Sequence, residues 1–238
     1  MNAFLRSAMF NPPWWSIFLN PHFLPRRALF RAMRDAGPRL QGRVLDLGCG
    51  MQPYRELLTS ATTIVGLEID TPQNRSGAKR ADVFYDGMTI PFSDGDFQSV
   101  LCNQVLEHVQ NPQNFLREIS RVLAPEGTWI LSVPFFWPEH EQPWDMQRFT
   151  SFGLVNQLTN TGFALVCHDK SVGGTAALCA LMADRINAKV SRFSLPVRLL
   201  ARATIIAFWS LLGSALLTFP KGDPNLFLDN FVVARKTR

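Results

Sequence analysis

The stretch "RVLDLGCGMQPY", Arg43 to Tyr54, decides the fold that we predict for this chain. A short apolar run ends in an acidic segment, and two closely spaced glycines, Gly48 and Gly50, follow it. A strand of this kind brings backbone to the carboxyl edge of a parallel sheet, where open α/β folds bind ligands. Glycines let a ligand approach the main chain at such an edge. The third glycine of a dinucleotide fingerprint is missing, which disfavours a dinucleotide ligand.

Length and composition predict one folded domain with a sizeable core, because the 238 residues are 47% hydrophobic and 18% charged. The net charge of +5 comes mainly from the two ends of the chain. The basic residues there are Arg6, Arg26, Arg27, Arg31, Arg34, Lys221, Arg235, Lys236 and Arg238. They indicate either contact with an anionic surface or a solvated basic face. Zinc-finger spacings and aromatic-basic arrays are absent from the sequence, so no nucleic-acid partner is expected.

From Arg43 onward, β-rich runs alternate with helical ones, which is typical of a parallel sheet with helices on both faces. The predicted strands are "RVLDLG", "TIVGLEI", "ADVFYD", "FQSVLCN", "GTWILSV", "FALVCHD" and "NFVVARK". Helices are predicted at "PYRELLTS" and "NPQNFLREISRVLAPEG". In the second helix Asn111 is the expected N-cap, Pro112 takes the first helical position and Gly127 lies beyond the end.

The chain is predicted to divide into four segments. These are an N-terminal helical cap (1–40), a core (41–173), an apolar helical insertion (174–222) and a final strand that completes the core (223–238). Within the insertion, Ala203 to Phe219 contains no charged residue, and its seventeen residues lie at the short limit for crossing a bilayer. Three alternatives stay open: a buried or partner-facing helix, an in-plane membrane helix with peripheral contact through 196–219, and a true span.

A cytoplasmic location is expected. The four cysteines stand singly, without CxxC spacing, as in a reduced cytosolic protein. They are Cys49, Cys102, Cys167 and Cys179. The first residues lack the basic, apolar and small-residue regions of a signal peptide. The apolar insertion and the basic ends favour the cytoplasmic face of the membrane as the working place.

Carboxylates lie at the ends of three predicted strands, and they indicate which ligand the glycine corner binds. Glu68 ends the second predicted strand, where it could accept hydrogen bonds from both hydroxyls of a ribose. Asp86 ends the third and could accept an exocyclic amine, while Asp46 lies just below the glycines and suits a cationic amine. Because these strand ends offer acids and no lysine or arginine, they favour a cationic nucleoside over a phosphate-rich ligand.

Five pieces of the sequence resemble one family in the family's own order, from Arg43 to Phe163. They are "VLDLGCG", "VGLEID", "DGMTIPFSDGDFQSVLCNQVLEHVQNP", "FLREISRVLAPEGTWILSVP" and "TNTGF". The family is the class I S-adenosylmethionine-dependent methyltransferases, in the subgroup with the methyltransferase type 11 domain. The resemblance covers about half of the chain.

The resemblance implies a Rossmann-like seven-stranded sheet whose last strand is antiparallel, with S-adenosylmethionine as the cofactor. N-terminal helices and the apolar helical insertion would be additions to this sheet. By the resemblance, Asp46, Gly48 and Gly50 border the methionine moiety, Glu68 holds the ribose, Asp86, Gly87 and Met88 receive the adenine, and Asn103 and Gln104 face the sulfonium. Glu68 departs from the aspartate that is commoner in the family, and its longer side chain still reaches a diol.

The segment "QVLEHVQNP" raises the question of a metal. In some methyltransferases of this fold an ExxEH segment and a later histidine bind a divalent ion. Here Glu107 and His108 match, Gln104 replaces the first acid, and His140 could be the later histidine. Glutamine is a poor substitute for a carboxylate ligand, so we favour a structural or pocket-lining role and predict no metal.

The segment "VPFFWPEHEQPWDMQRFTSFGL", Val133 to Leu154, follows the fifth predicted strand and resembles segments of sugar and cell-envelope methyltransferases. His140 is the first choice for a general base on a hydroxyl acceptor, with Glu141 beside it. Asp145 and Arg148 could equally form a structural ion pair. Aromatic residues suggest an apolar acceptor space. They are Trp14, Trp15, Phe135, Phe136, Trp137 and Trp144.

The sequence therefore predicts a methyltransferase that acts on a small or lipid-linked acceptor. O-methylation is favoured, in cell-envelope glycan or isoprenoid metabolism, with methylation of carbon or nitrogen as the less favoured outcome. The alternative is a non-catalytic partner protein that keeps the fold and uses residues 174–220 as an interface. The oligomeric state is not predicted.

Overall fold

The computed structural model describes residues 8–76, 80–218 and 225–237. Contacts between residues divide the chain into two compact units. Unit 1 takes in Met1–Ala32 and Lys170–Asp229, and unit 2 takes in Met33–Asp169 and Asn230–Arg238. Some residues named above lie outside the described part of the chain. They are Arg6, Phe219, Lys221 and Arg238.

The sheet has seven strands, and each predicted strand is confirmed. They are β1 (Gly42–Leu47), β2 (Ala61–Ile69), β3 (Val83–Tyr85), β4 (Phe97–Asn103), β5 (Leu123–Pro134), β6 (Phe163–Ser171) and β7 (Asp229–Lys236). Their spatial order is β3-β2-β1-β4-β5-β7-β6. The pairs among β1 to β5 are parallel, and their runs of fully buried residues agree with burial on both faces.

The last strand is antiparallel, as the resemblance implied. Near one end of the β6–β7 pair, the Leu228 amide donates to the Ser171 carbonyl, and near the other the Thr237 amide donates to the Gly162 carbonyl. Rising numbers on one strand therefore meet falling numbers on the other. The strand order reverses between β1 and β4, so the corner after β1 lies at the topological switch point, where doubly wound sheets bind ligands.

The helices of unit 2 follow the sequence in part. They are the end of α1 (Phe23–Ala36), α2 (Pro72–Ser76), α3 (Pro112–Val122) and α4 (Ser151–Asn160). In α3, Asn111 accepts the Asn114 amide at 3.1 Å and Pro112 comes first, as predicted. This helix is shorter than predicted because strand β5 already begins at Leu123. The core of unit 2 lies where α3 and α4 pack on the strands, around Trp129 and Phe163.

The predicted helix "PYRELLTS" is only a 3₁₀ turn, Arg55–Leu57. Eight residues are too few to form a stable helix without strong packing along one face. Here Tyr54 and Leu58 are buried at the two ends of the turn. Burial of these two side chains stabilises a tight turn here instead of a helix.

Unit 1 is helical. It contains a 3₁₀ turn (Trp14–Phe18), most of α1, α5 (Thr175–Val190), α6 (Leu195–Ala201), a π-helical turn (Arg202–Ile206) and α7 (Ala207–Leu216). Small residues let α7 pack closely, because a Cβ added at Gly213 would lie 2.5 Å from Leu24 and 3.0 Å from Cys179. The buried face of α5 is also built from small residues, mostly alanines.

The segments from α6 to α7 form one continuous helix, Leu195–Leu216. It has 22 residues, and an 18-residue window within it has a mean hydropathy of 1.7, so the helix is long and apolar enough to cross a membrane. Only 22% of that window is buried, so enclosure in a core does not agree with the structure. The partner-facing, in-plane and spanning alternatives stay open.

Candidate active site

The two glycines after β1 serve different purposes. Gly48 has φ +69°, and a Cβ there would lie 2.3 Å from the side chain of Val105. Gly50 has φ +50°, and among the described residues no atom lies within 4 Å of a Cβ built on it. Packing therefore requires the first glycine, whereas the second leaves open space beside the backbone. Only Gly50 fits the prediction that a missing side chain makes room for a ligand.

Glu68 is nearly buried and bonded to the glycine corner. Its Oε2 accepts the Gly50 amide at 3.0 Å, and its Oε1 accepts the Ile69 amide at 3.3 Å and Asn74 Nδ2 at 3.4 Å. The carboxylate thus joins the ends of β1 and β2 before any ligand arrives. Its contact with ribose stays a prediction. Asn74 was not foreseen, because a lone asparagine in a short polar segment gives no signal in the sequence.

Asp46 is a buried acid at the same corner, with 6% of its surface exposed. Burial, and secondly the charge of Glu68, raises the pKa of Asp46 to about 8, and only Arg55 opposes this. A cation bound nearby would favour the ionised carboxylate. The predicted contact of Asp46 with a cationic amine stays a prediction. Arg55, from the turn behind the corner, is a basic neighbour that the strand ends did not reveal.

The turn after β3 is already formed around Asp86. Its Oδ1 accepts the amides of Met88 at 2.8 Å and Thr89 at 2.9 Å, and these bonds lower the pKa of Asp86. Gly87 has φ +80°, and a Cβ there would lie 2.6 Å from Ile69. Met88 is 68% exposed. The adenine contact stays a prediction, and one oxygen of Asp86 is already used by the turn.

Two charged residues of α3, Glu118 and Arg121, hold the loop that follows this turn through hydrogen bonds. Arg121 donates to the carbonyls of Ile90 and Phe92, each at 2.8 Å, and pairs with Asp94. Glu118 accepts the Ile90 amide at 2.8 Å and bonds to Arg121. The sequence did not indicate this cluster, because its members read as ordinary charges on a helix and in a turn.

Asn103 and Gln104, at the end of β4, are fixed by Ser132 of β5. The Ser132 hydroxyl donates to Asn103 Oδ1 at 2.6 Å, and Gln104 Nε2 donates to that hydroxyl at 3.2 Å. Gln104 has φ +57°. Ser132 is fully buried, so it sets the orientation of both side chains. Their position towards a sulfonium stays a prediction.

Cys102 shows that acids of two segments lie close together. Burial raises the pKa of its thiol most, followed by the charges of Glu107 and Asp46. Contacts agree with this, because Gly48 packs against Val105 and Leu47 of β1 pairs with Cys102 of β4. The glycine corner and the segment after β4 are therefore neighbours at the carboxyl ends of β1 and β4.

A histidine cluster lies after β4 and β5. Ligand atoms of Glu107, His108 and His140 lie within 4.8 Å of one another, and the two histidine rings are 5.0 Å apart. His108 Nε2 is 3.7 Å from Glu107 and 3.9 Å from Glu141. Such a group could hold a divalent ion. The prediction of a metal-free site therefore calls for a direct test.

Asp145 forms the ion pair with Arg148 that the sequence left open, and it also contacts His140. It receives Arg148 through two short bonds of 2.5 and 2.6 Å, which lower the pKa of Asp145 to about 2. It also accepts the His140 amide at 2.9 Å and lies 3.3 Å from His140 Nδ1. Arg148 in turn donates to the Pro138 carbonyl at 3.2 Å. The ion pair thus shapes the loop beside the imidazole ring, whose Nδ1 has the Pro138 carbonyl as its hydrogen-bond partner at 3.3 Å.

The other acceptor-side residues are less constrained. Glu141 has φ +50°, and its side chain is 74% exposed. Phe136 and Trp144 are exposed on the loop, and the Trp144 carbonyl lies 3.2 Å from His108 Nδ1. Trp14 and Trp15 belong to unit 1, whereas the aromatic residues of the loop belong to unit 2. The base roles of His140 and Glu141 stay predictions.

Comparison with known proteins places the glycine corner inside a methyltransferase domain. Residues 45–131 match the family model described as methyltransferase domain. This range contains every predicted cofactor residue and excludes His140 and Glu141. A ubiquinone biosynthesis O-methyltransferase from Caulobacter sp. (strain K31) is 32% identical over 124 residues, which are 47% of this chain and 49% of that protein. The chain spans about half the length of the relatives that it matches.

Solved structures share the fold at low identity. The [4+2]-cyclase SpnF has a TM-score of 0.56 at 21% identity, over 89% of this chain and 82% of that one. Phosphoethanolamine N-methyltransferase 2 from Haemonchus contortus, solved with S-adenosyl-L-methionine, has a TM-score of 0.56 at 14% identity, over 98% and 59%. Residues 45–131 therefore contain a methyltransferase domain, and the chain shares the fold of a structure solved with S-adenosyl-L-methionine.

Proposed function

We propose that the protein methylates a hydroxyl group of a small or lipid-linked acceptor, with S-adenosylmethionine as the donor. The name of the Caulobacter relative, an O-methyltransferase, supports oxygen as the methylated atom. The observation that carries the proposal is the pair of His140 and Asp145, 3.3 Å apart, after strand β5. A histidine held by a carboxylate is the usual arrangement of a general base.

Two features of the corner fit the proposed donor. Space is open beside Gly50, and the corner holds two acids, Asp46 and Glu68, whose ionised forms a cationic ligand would stabilise. Asp46, Gly48, Gly50 and Glu68 would hold the methionine and ribose parts, with Asp86, Gly87 and Met88 at the adenine and Asn103 and Gln104 at the sulfonium. When bound, S-adenosylmethionine supplies an electrophilic methyl group.

The residues of this chain would then position the acceptor and move one proton. His140 would take the proton of the acceptor hydroxyl, while Asp145 holds its ring and Arg148 holds Asp145. Glu141 is the second candidate for the proton. Because a sulfonium is a strong methyl donor, positioning and exclusion of water contribute most of the rate.

We also propose that the enzyme works in the cytoplasm, at the cytoplasmic face of the membrane. The support is the long apolar helix Leu195–Leu216, which is mostly exposed. The basic character of unit 1 agrees with an anionic lipid surface.

Two measurements test the proposed function. First, calorimetry on the full chain with S-adenosylmethionine and with its demethylated product should detect binding of both. No binding by folded protein would favour the non-catalytic alternative. Second, donor with a labelled methyl group is incubated with membrane-lipid and soluble extracts. We expect the label on oxygen in one acceptor class, and label on nitrogen or carbon alone would refute O-methylation.

A further inference from the structure

A groove of about 410 Å³ lies within unit 1. Its wall is formed by the turn Trp14–Phe18, by α1 and by the end of α7 together with the residues just beyond it. The apolar lining residues are Trp14, Ile17, Phe18, Phe23, Leu24, Ala28, Leu211 and Leu217. This volume is within the range of pockets that bind small molecules. The groove is therefore large enough for a slender apolar group such as a lipid chain.

Two arginines of α1 line the same groove, Arg27 and Arg31. They are one helical turn apart, so they lie on one face of the helix. The Arg27 guanidinium donates to the Pro12 carbonyl at 2.8 Å, which fixes its position. Arg31 is exposed and forms no ion pair with another described residue. Residues 1–32 contain no acidic residue. A ligand that places an anion here and an apolar chain in the groove would match both features.

The groove opens on a broad apolar surface of unit 1. Trp14 and Phe18 line the groove and are exposed, as are Leu211 and Leu217. The same helical segment exposes further large apolar side chains. They are Phe193, Leu195, Val197, Leu199, Leu200, Ile205, Phe208 and Leu212. Apolar side chains exposed together in this way mark interaction sites in soluble proteins.

The net charge of unit 1 indicates which kind of partner this surface binds. Unit 1 contains eleven basic and three acidic residues, a net charge of +8. Two copies of the chain that met through this surface would repel each other. An anionic bilayer attracts basic groups and accepts apolar side chains at its boundary. The surface therefore fits an anionic membrane better than a second copy of the chain.

We propose that unit 1 binds an anionic phospholipid at the membrane surface, with one chain in the groove and the phosphate on Arg27 and Arg31. This site holds the protein on the bilayer and is separate from the methyl-transfer chemistry assigned to unit 2. Its existence does not depend on the proposed enzymatic function.

The test is calorimetry of the full chain with dihexanoyl-phosphatidylglycerol, dihexanoyl-phosphatidylcholine and inorganic phosphate, each lipid below its micelle concentration. We expect the anionic lipid to bind at least about tenfold more tightly than the zwitterionic one, since two arginines are involved. Inorganic phosphate alone should give no measurable binding. Equal affinity for the two lipids, or phosphate binding as tight as that of the lipid, would overturn the proposal.

Matched variants separate the groove from the surface around it. Leu211→Glu adds a charge in the groove, and Leu212→Glu adds the same charge on the exposed surface beside it. We expect Leu211→Glu to abolish lipid binding and Leu212→Glu to weaken it about fivefold or less. Likewise Arg31→Gln should weaken binding about fivefold, and Arg192→Gln should leave it unchanged. All four positions are exposed, and thermal melting checks their folding.

Equal losses in the two glutamate variants would refute the groove as the binding site. Equal losses in the two glutamine variants would refute the headgroup assignment. Sedimentation of the lipid-free chain tests the remaining occupant. A dimer that Leu211→Glu dissociates would show that a second copy fills the groove and would also overturn the proposal.

Discussion

The two units differ in net charge and in the kind of side chain that they present. Unit 2 contains thirteen basic and sixteen acidic residues, a net charge of −3, whereas unit 1 has a net charge of +8. At the candidate site of unit 2, side chains such as Glu68 and Asp145 are fixed by several hydrogen bonds each. Unit 1 instead exposes large apolar residues along one helix. The contrast agrees with the two proposals, methyl transfer in unit 2 and membrane binding by unit 1.

The largest expected effect concerns the proposed base of unit 2. His140→Ala should lower kcat about 100-fold or more with little change in KM for the donor, because the general base is lost. Added imidazole should restore part of the rate. His168, which bonds to Asn230 at 2.9 Å, offers a control in His168→Gln that should keep kcat. An unchanged kcat in His140→Ala would assign proton transfer to another group.

Donor binding should depend next on Glu68. Glu68→Ala removes the carboxylate that bonds to Gly50 and that we assign to the ribose, so Kd for S-adenosylmethionine should rise about 100-fold. Calorimetry measures the change. Glu56→Ala, an exposed acid in the turn behind the corner, is the matched control. Wild-type affinity in Glu68→Ala would refute the ribose assignment.

Packing in unit 1 can be damaged independently of the site. Gly213→Leu would force side-chain atoms into Leu24 and Cys179, and overpacking of this kind costs about 1–3 kcal/mol. Hydrogen exchange in α5 and α7 should accelerate, while donor binding to unit 2 is retained. Ala215→Leu, on the exposed side of α7, should have little effect. A loss of donor binding in Gly213→Leu would show that the two units are energetically coupled.

A pH-dependent effect is expected at Asp46. The pKa of Asp46 rises from 3.8 to about 8 on folding, so its contribution to stability is complete below pH 3.8 and is lost as the pH rises through 8. Asp46→Asn should remove this loss. Urea unfolding at pH 5, 7 and 9 should then show a smaller decline for the variant than for the wild type. Parallel declines would mean that Asp46 ionises normally in the folded protein.

No effect is expected from removing divalent ions. Methyl transfer needs no metal, so activity after treatment with a chelator should equal the untreated rate. The cluster of Glu107, His108 and His140 makes this prediction easy to refute. A loss of activity that added Mg²⁺ or Zn²⁺ restores, and that Glu107→Gln reproduces, would overturn it.

The sequence predicted the sheet well because buried parallel strands are continuous apolar runs, and all seven were found. It also placed Glu68 beside the glycine corner. It did not distinguish Gly48 from Gly50, since only the structure shows Val105 against the first. Nor did it foresee Ser132 or Asn74, because a single polar residue acquires its role from partners distant in the chain. The helix predicted after Gly50 was wrong because Tyr54 and Leu58 are buried at the two ends of a 3₁₀ turn there.

One further consequence follows from the point where the chain leaves β6 and returns to β7. Ser171 Oγ donates to Asp229 at 2.6 Å, its carbonyl accepts the Leu228 amide at 3.0 Å, and the Gly174 amide donates to the Leu226 carbonyl at 2.7 Å. The end of β6 and the start of β7 are therefore joined by hydrogen bonds, as in a hairpin. A short turn could replace residues 175–225 without altering the β6–β7 register, and the same join could accept a different excursion. The sheet and the insertion are therefore separable parts of the design.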